Sequence, residues 1–161
     1  MNYRELLASE AWFLKEMLFE AIYIPPGRKP YPRSVLEHPE LSKYFLNWKS
    51  DPSDRAVAGE SAGKLIAVAW GRAHHPPNEG FGYIDIDIPE ISIAVKADYR
   101  NQGLGGRLLE KLSQTYQQTG VKAISLSVDK RNQAVSLYKR HGFVIVKENS
   151  EDFIMRKNLS S

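Results

Sequence analysis

The spacing of apolar residues along the chain predicts four helices. In the longer ones an apolar residue recurs every three or four positions, which gives the helix one face that can be buried. Ser9 is the expected N-cap of the first helix, and Gly120 is the expected stop of the third. The predicted helices cover residues 10–23, residues 34–48 with a break near Pro39, the stretch from a glycine-rich segment to about Gln118, and residues 132–141.

Shorter apolar or alternating runs predict strands between these helices. The first two strands are joined by a tight turn at Ser61–Gly63, and the last two form a closing hairpin. The strand at 90–95, the third helix and the strand at 123–128 form a βαβ unit, which implies a parallel strand pair. The proline-rich stretch Ile24–Pro32 and the stretch His74–Gly82 are predicted loops. The predicted strands cover residues 56–59, 64–70, 83–88, 90–95, 123–128, 143–147 and 152–157.

Composition narrows the class of protein without indicating a function. A length of 161 residues suits one compact domain that spans residues 1–161. The net charge of +3 is spread along the chain rather than gathered in a basic patch, so we expect no nucleic-acid partner. The chain has no cysteine, which excludes thiolate metal sites and a cysteine nucleophile. No apolar run reaches membrane-spanning length and no secretory signal is visible, so we expect a cytoplasmic protein without a membrane partner.

The segment Arg100–Gly106 lies between a predicted strand and a predicted helix. Its glycines let the backbone take positive φ angles, so that successive N–H groups and the helix N-terminus can converge on an anion such as a phosphate. The segment lacks the Lys-Ser/Thr of a Walker motif, and a Rossmann fingerprint would need a glycine where Leu108 stands. Taken alone, a simple turn into a helix is the better interpretation.

Three sequence blocks in the second half of the chain occur in an order that is typical of one family. The first is a strand that runs into Arg100–Gly106, with the pattern R-x-x-G-x-G. The second is the strand at 124–128 followed by Asn132 and Ala134, and the third is Leu137–Phe143, with the pattern L-Y-x-x-x-G-F. With these blocks in this order, the chain resembles the GNAT superfamily of N-acetyltransferases. The combination favours cofactor binding over a purely structural turn.

The resemblance implies an α/β fold with a GNAT-like mixed, mostly antiparallel sheet flanked by helices and a splayed parallel strand pair at the cofactor site. It implies acetyl-CoA as the acyl donor, with the pyrophosphate on the glycine segment and the pantetheine arm between the parallel strands. No metal is expected. The implied cofactor-binding residues are Ile93 and Val95 through their backbone, Arg100, Gln102, Gly103, Leu104, Gly105, Gly106 and Asn132.

Two residues are candidates for proton transfer. Acetylation of an amine needs a base, since an amine with a pKa of about 10.4 is mostly protonated at neutral pH. Glu90 begins the strand beside the expected cofactor and is the expected base, whereas Asp85 and Asp87 are better interpreted as solvent-exposed charges. The resemblance implies that Tyr138 is the acid that protonates the departing thiolate, and a packing role for this tyrosine is compatible with that. Asn132 is also the expected cap of the helix that carries Tyr138.

Two further patterns are interpreted as structural. The adjacent His74 and His75 would point apart in an extended chain and have no spaced ligand partners, so we expect a surface loop rather than a metal site. The stretch Gly59–Gly63 matches the nucleophile-elbow pattern G-x-S-x-G, which requires a following helix. Because a predicted strand follows instead, we expect a hairpin turn.

The resemblance implies an acceptor site lined by the first two helices, their joining loop and the first strand of the parallel pair. The loop offers Arg28, Lys29 and Tyr31, and we expect Trp70 and Tyr83 at the rim. The predicted function is transfer of an acetyl group from acetyl-CoA to a primary amine of a small molecule or peptide. A longer acyl-CoA and a catalytically silent CoA-binding sensor or interaction domain remain as alternatives, and a homodimer is expected by analogy.

Overall fold

A computed structural model of the chain describes residues 1–159 and gives seven strands and four α-helices in this part of the sequence. The strands form one sheet. In chain order the elements are β1 (Asn2–Glu5), α1 (Trp12–Ala21), α2 (Pro39–Ser42), β2 (Arg55–Ser61), β3 (Lys64–Arg72), β4 (Glu90–Val95), α3 (Leu104–Gln118), β5 (Ala123–Asp129), α4 (Ala134–Arg140), β6 (Val144–Glu148) and β7 (Asp152–Asn158).

The sheet has the order β1-β2-β3-β4-β5-β7-β6, and every neighbouring pair is antiparallel except β4 and β5. Strand β3 pairs with β4 along the whole of β4. In contrast, within residues 1–159 the parallel pairing of β4 with β5 is confined to Glu90 and Ser125. Beyond that pair the two strands diverge, which confirms the expected mixed, mostly antiparallel sheet with one splayed parallel pair.

Helices cover both faces of the sheet because each has one apolar side. On one face, α3 buries Leu108, Leu109 and Leu112 against the strands. On the other face, α1 buries Phe13 and Met17. Each fully buried side chain of this size contributes about 1.5–3 kcal/mol of transfer free energy. Within the described part of the chain, no helix combines the length and the apolar character that a membrane crossing requires.

Two side chains of β3 hold the segment that connects α2 with β2. The guanidinium of Arg72 forms a buried bidentate pair with Asp54, with Nε–Oδ1 and Nη2–Oδ2 distances of 2.9 and 2.8 Å. Its Nη1 also donates to the carbonyl of Leu46 at 2.7 Å. The buried indole of Trp70 donates from Nε1 to the carbonyl of Tyr44 at 3.0 Å. The backbone of this segment is therefore fixed over the start of β4.

Several predicted boundaries agree with the structure. Helix α3 ends at Gln118, and Gly120 follows with a φ of +86°, as expected for a glycine stop. Pro39 is the first residue of α2, where a proline needs no N–H partner. The turn between β2 and β3 contains Ala62 and Gly63 with φ of 51° and 78°, so the G-x-S-x-G pattern is a hairpin turn.

The N-terminal region differs from the prediction. Ser9 does not cap α1, because it lies in a 3-10 turn that precedes the helix. The carboxylate of Glu10 accepts the backbone N–H of Leu7 at 2.9 Å and closes this turn, so α1 begins only at Trp12. The sequence pattern also missed β1, a four-residue edge strand that pairs with β2.

The predicted strand at 83–88 is wrong. The backbone N–H of Ile88 donates to the carbonyl of Asp85 at 3.0 Å, and the carboxylate of Asp85 accepts the N–H of Asp87 at 3.1 Å. An aspartate that bonds to its own chain two residues on favours a turn over a strand. The alternating apolar residues of this stretch therefore belong to consecutive turns between β3 and β4.

Candidate functional site

The segment between β4 and α3 presents a row of free backbone donors. Asn101 and Gly103 have left-handed φ angles of 62° and 79°. No group within residues 1–159 accepts a hydrogen bond from the backbone N–H groups of 101–106, and the first bond of the helix is Arg107 N–H to Gly103 O at 3.3 Å. Free N–H groups at the start of a 15-residue helix form a site suited to an anion.

The three glycines of this segment have different structural roles. Gly103 needs its left-handed backbone, which strains other residues. A Cβ on Gly106 would lie 2.9 Å from His141 Nε2, so this glycine allows α3 to approach the end of α4. A Cβ on Gly105 would meet only Leu137 Cδ2 at an ordinary 3.5 Å. Gly105 therefore has room for a Cβ, unlike Gly106.

Arg100 joins three parts of the structure around this segment. Its Nε donates to the carbonyl of Val95 at 3.0 Å, and its Nη2 lies 3.0 Å from Glu20 Oε2 at the end of α1. The guanidinium is about half exposed. Arg100 therefore directly precedes the free N–H groups in the chain, and its charge is paired with a glutamate.

The gap between β4 and β5 leaves part of β4 without backbone partners. Ser125 N–H donates to the carbonyl of Pro89 at 2.9 Å, which fixes the side of β4 that faces β5. Because alternate residues of a strand point their backbone groups to the same side, Ile93 and Val95 also face β5. The strands have separated by this point, so the backbone groups of Ile93 and the N–H of Val95 are available to a ligand that continues the sheet, whereas the carbonyl of Val95 already accepts Arg100 Nε.

Glu90, the first residue of β4, is buried and accepts one side-chain hydrogen bond, while the backbone N–H of Gly82 also favours its ionised form. The hydroxyl of Tyr44 donates to its Oε2 at 2.7 Å. Burial raises the pKa of Glu90 to about 7, and this hydrogen bond opposes the shift. A carboxylate with such a pKa is present in both protonation states near neutral pH, which suits a group that accepts and releases protons.

His74 lies in the loop that follows β3, as predicted, but its side chain is not at the surface, and that part of the prediction is wrong. Its side chain is buried, with Nε2 3.8 Å from Glu90 Oε1, because β3 extends to Arg72 and carries the chain directly under the loop that follows. Burial, followed by the charge of Arg72, lowers the pKa of His74 to about 4. The imidazole is therefore neutral at pH 7. His75 is exposed and pairs with Asp51, in agreement with the prediction.

Neither His74 Nε2 nor Glu90 Oε1 has a hydrogen-bond partner among the described residues. A distance of 3.8 Å is too long for a direct hydrogen bond between them. Two buried polar atoms that face each other without partners are unusual and indicate a place where a polar ligand group can bind. Within residues 1–159 no group of three or more histidine, aspartate and glutamate side chains is arranged to hold a metal ion.

Tyr138 and Asn132 lie on and before α4. The ring of Tyr138 packs edge-on against Phe143, with 5.8 Å between ring centroids. Burial raises the pKa of Tyr138 to about 12, so the phenol is protonated at neutral pH. The side-chain oxygen of Asn132 accepts the N–H of Ala134 at 2.9 Å, as expected for a residue that caps this helix.

Some of the residues predicted around the acceptor site are exposed in the structure and others are buried. Trp70 was expected at the rim but is fully buried, since its indole lies between the sheet and the segment after α2. Arg28, Lys29 and Tyr31 are exposed in the loop between α1 and α2. Tyr83 is half-buried, while Asp85 and Asp87 are exposed charges, as expected.

A model of the acetyltransferase (GNAT) family matches residues 18–143 of the sequence. The chain belongs to this family. No curated protein matches the sequence. Among solved structures, the chain is similar to the ribosomal-protein-S18-alanine N-acetyltransferase of Escherichia coli, with 21% identity, a TM-score of 0.67, and coverage of 99% of this chain and 94% of that one.

Two other GNAT-like structures share the fold at low identity. The PaiA N-acetyltransferase of Thermoplasma acidophilum, in complex with coenzyme A, is 20% identical with a TM-score of 0.66 and coverage of 98% of both chains. YncA of Salmonella typhimurium, with its cofactor acetyl-CoA, is 15% identical with a TM-score of 0.70, covering 100% of this chain and 95% of that one.

Sequence reasoning missed Tyr44, which makes the one side-chain hydrogen bond to Glu90 within the described chain. The two residues are 46 positions apart, and none of the three sequence blocks that carry the family resemblance includes Tyr44. A weak signal was present, since Tyr44 lies in the predicted helical segment 34–48, whose apolar residues predict burial. The sequence does not indicate which strand such a segment covers.

The raised pKa of Glu90 predicts a pH dependence of folding stability. The unfolded carboxyl ionises near its ordinary value of 4.5, whereas the folded one ionises at about 7, so the folded state holds an extra proton between these values. The free energy of unfolding should therefore fall as pH rises from 4.5 to 8, by about 3 kcal/mol. The variant Glu90→Gln should lack this contribution, so its stability relative to wild type should increase across the same window.

Denaturant unfolding of both proteins between pH 4 and 8 measures this difference. His74 changes the free energy of unfolding in the opposite direction. Its pKa is lowered from 6.5 to about 4, so its contribution to stability rises with pH between those values. Since His74 is present in both proteins, the difference between them isolates Glu90. A difference that stays constant with pH would show that Glu90 keeps an ordinary pKa in the folded state.

Proposed function

We propose that this protein transfers an acetyl group from acetyl-CoA to a primary amine of a small molecule or peptide, as one catalytic domain. The observation that carries the proposal is the combination of free backbone N–H groups at 101–106, an unpaired edge of β4 and a buried carboxylate on the first residue of that strand. Membership of the GNAT acetyltransferase family supports acetyl-CoA as the donor, as do the structures of PaiA with coenzyme A and YncA with acetyl-CoA.

The residues present fit the parts of the cofactor. The free N–H groups of Gln102–Gly106 at the positive end of α3 suit a pyrophosphate, with the Arg100 guanidinium alongside. The backbone groups of Ile93 and Val95 suit the amides of a pantetheine arm, which would lie in the gap as a further strand does. The side-chain oxygen of Asn132 accepts a hydrogen bond from the first residue of α4, so its side-chain amide nitrogen remains to contact the cofactor.

Glu90 and Tyr138 account for the proton transfers. Glu90 accepts a proton from the ammonium of the acceptor, which frees the lone pair of its nitrogen. When bound, acetyl-CoA supplies the thioester carbon to which that nitrogen bonds while the carbon–sulfur bond breaks. Tyr138, protonated at neutral pH, gives its proton to the departing sulfur and recovers one from the new amide nitrogen through solvent. One proton is released per acetyl group transferred.

The function is tested by thiol release from acetyl-CoA across a panel of amines, comprising diamines, amino acids, aminoglycosides and short peptides with free N-termini. We expect turnover with at least one class and none when the amine is blocked. Turnover with a longer acyl-CoA and not with acetyl-CoA would change the donor but keep the reaction. Binding of CoA without turnover on any amine would favour a sensor, and no CoA binding would overturn the proposal.

Gly105→Asp should weaken CoA binding. The substitution adds a carboxylate among the free N–H groups, where it would neutralise them and repel a pyrophosphate. The neighbourhood of Gly105 accommodates a Cβ, so the fold should be unaffected. We expect the Kd for CoA, measured by calorimetry, to rise by at least about 10-fold.

Gly105→Ala is the matched control, since it adds a Cβ at the same place without a charge. Its Kd for CoA should stay close to that of the unmodified protein. Equal affinities for the Asp and Ala variants would mean that the pyrophosphate binds elsewhere.

Tyr138→Phe should lower kcat by about 10-fold or more while the Kd for CoA changes little. The phenol hydroxyl has no hydrogen-bond partner among residues 1–159, so its removal should not disturb the packing of the ring on Phe143. Tyr3→Phe, which alters a tyrosine packed at the edge of the same core, serves as control. Unchanged turnover in Tyr138→Phe would remove the proposed role of this residue as proton donor.

A further inference from the structure

The hydroxyl of Tyr44 connects the carboxylate of Glu90 with the loop between β3 and β4. It donates to Glu90 Oε2 at 2.7 Å and accepts the backbone N–H of Phe81 at 2.8 Å. The ring of Tyr44 stacks on that of Phe81, with 6.4 Å between centroids and 9° between planes. It also meets His74 edge-on at 4.9 Å. One buried side chain thus contacts Glu90, Phe81 and His74.

The position of Tyr44 is set through its backbone. Trp70 donates to the carbonyl of Tyr44 at 3.0 Å, and Arg72 donates to the carbonyls of Lys43 and Leu46 at 2.9 and 2.7 Å. All of these donors come from β3, the strand that pairs with β4 beside Glu90. These backbone hydrogen bonds therefore position the phenol next to the carboxylate independently of the hydrogen bond between Tyr44 and Glu90.

The loop that carries Phe81 lies directly on Glu90. A Cβ on Gly80 would collide with Glu90 Oε1 and with the hydroxyl of Tyr44. A Cβ on Gly82 would lie 2.7 Å from the carbonyl carbon of Leu126 in β5. The glycines on either side of Phe81 thus allow the backbone to cover the carboxylate, and the Phe81 N–H is anchored by Tyr44.

The two oxygens of Glu90 are unequal as a result. Oε2 is occupied by Tyr44, whereas Oε1 has no partner among the described residues and faces the neutral His74. We propose that Tyr44 is a positioning residue that fixes Glu90 through Oε2, leaves Oε1 as the atom that receives the proton of the acceptor amine, and holds the Phe81 loop over it. The role of Oε1 rests on the proposed function, whereas the positioning of Glu90 and of the loop does not.

The sign of the expected pH effect follows from the groups that face Glu90. The hydrogen bond from Tyr44, the backbone N–H of Gly82 and the positive charge of Lys43 favour the ionised carboxylate, while burial disfavours it. His74, on the loop side, is neutral above about pH 4, and the positive charge of Arg72 contributes to keeping it so. Removing the Tyr44 hydroxyl therefore raises the pKa of Glu90 above its present value of about 7.

Tyr44→Phe tests the proposal with two readouts that need no substrate. The pKa of Glu90, followed by NMR of protein with 13C-labelled glutamate and assigned with Glu90→Gln, should rise by about one unit. Hydrogen exchange at the Phe81 amide should become at least about 10-fold faster, since the amide loses its acceptor. In turnover, the acidic limb of kcat/KM should move to higher pH by the same amount as the pKa.

Tyr116→Phe is the matched control. It also removes a buried tyrosine hydroxyl, one that donates to the carbonyl of Ser53 at 2.8 Å away from Glu90. It should change neither the pKa of Glu90 nor Phe81 exchange. If Tyr44→Phe does not fold, protein in which all eight tyrosines are replaced by 3-fluorotyrosine gives the opposite test, since a more acidic phenol should lower the pKa of Glu90.

The outcomes separate this proposal from the proposed function. An unchanged Glu90 pKa and unchanged Phe81 exchange in Tyr44→Phe would overturn the positioning role even if amines are acetylated. A shifted pKa and faster exchange, in a protein that acetylates no amine, would support the positioning of Glu90 and refute the reaction. A shifted pKa with an unmoved acidic limb would show that Glu90 is not the group that controls catalysis.

Discussion

The divergence of β4 from β5 is the constraint on which the rest of the site depends. Backbone N–H and C=O groups inside a sheet need partners, and a parallel pair that meets at Glu90 and Ser125 leaves the following residues of β4 without strand partners on the side that faces β5. The same divergence opens a path from the carboxylate to the free N–H groups before α3. A ligand that is anionic at one end and amide-bearing along its length satisfies both regions at once.

The surroundings of Glu90 illustrate how a buried carboxylate is kept usable. Full burial without partners would keep it protonated, and several strong donors would keep it ionised. Here a single hydroxyl binds one oxygen, the nearest imidazole is neutral, and burial raises the pKa to about 7. These effects together place the pKa of Glu90 close to neutral pH, so the carboxylate can gain or lose a proton at a small cost in free energy.

Local sequence patterns predicted the features that depend on neighbouring residues. The extent of α3, the stop at Gly120 and the hairpin turn at Gly63 follow from helical periodicity and from positive φ angles. The βαβ order predicted the parallel pair, and the family resemblance added the divergence of its two strands. The strand at 83–88 failed because the side chain of Asp85 bonds to the backbone, an alternative that alternation of apolar residues does not reveal.

Long-range packing decided what the sequence could not predict. Trp70 and His74 are buried because the segment after α2 and the loop before β4 cover them, and neither covering is encoded near these residues in the chain. Tyr44 reaches Glu90 across 46 positions for the same reason. Such contacts require the order of strands and the faces on which helices lie, which become known only with the assembled sheet.

The attachment of the segment after α2 has a consequence for how this protein could diversify. Near Tyr44, Trp70 and Arg72 bind carbonyl oxygens, which every residue type possesses, and the side-chain partner of Arg72 is Asp54 at the far end of the segment. Substitutions at Tyr44 can therefore alter the group that faces Glu90 while the backbone frame stays in place. A scaffold of this kind lets evolution or an engineer adjust the acidity of one carboxylate through a neighbour, without rebuilding the strand that bears it.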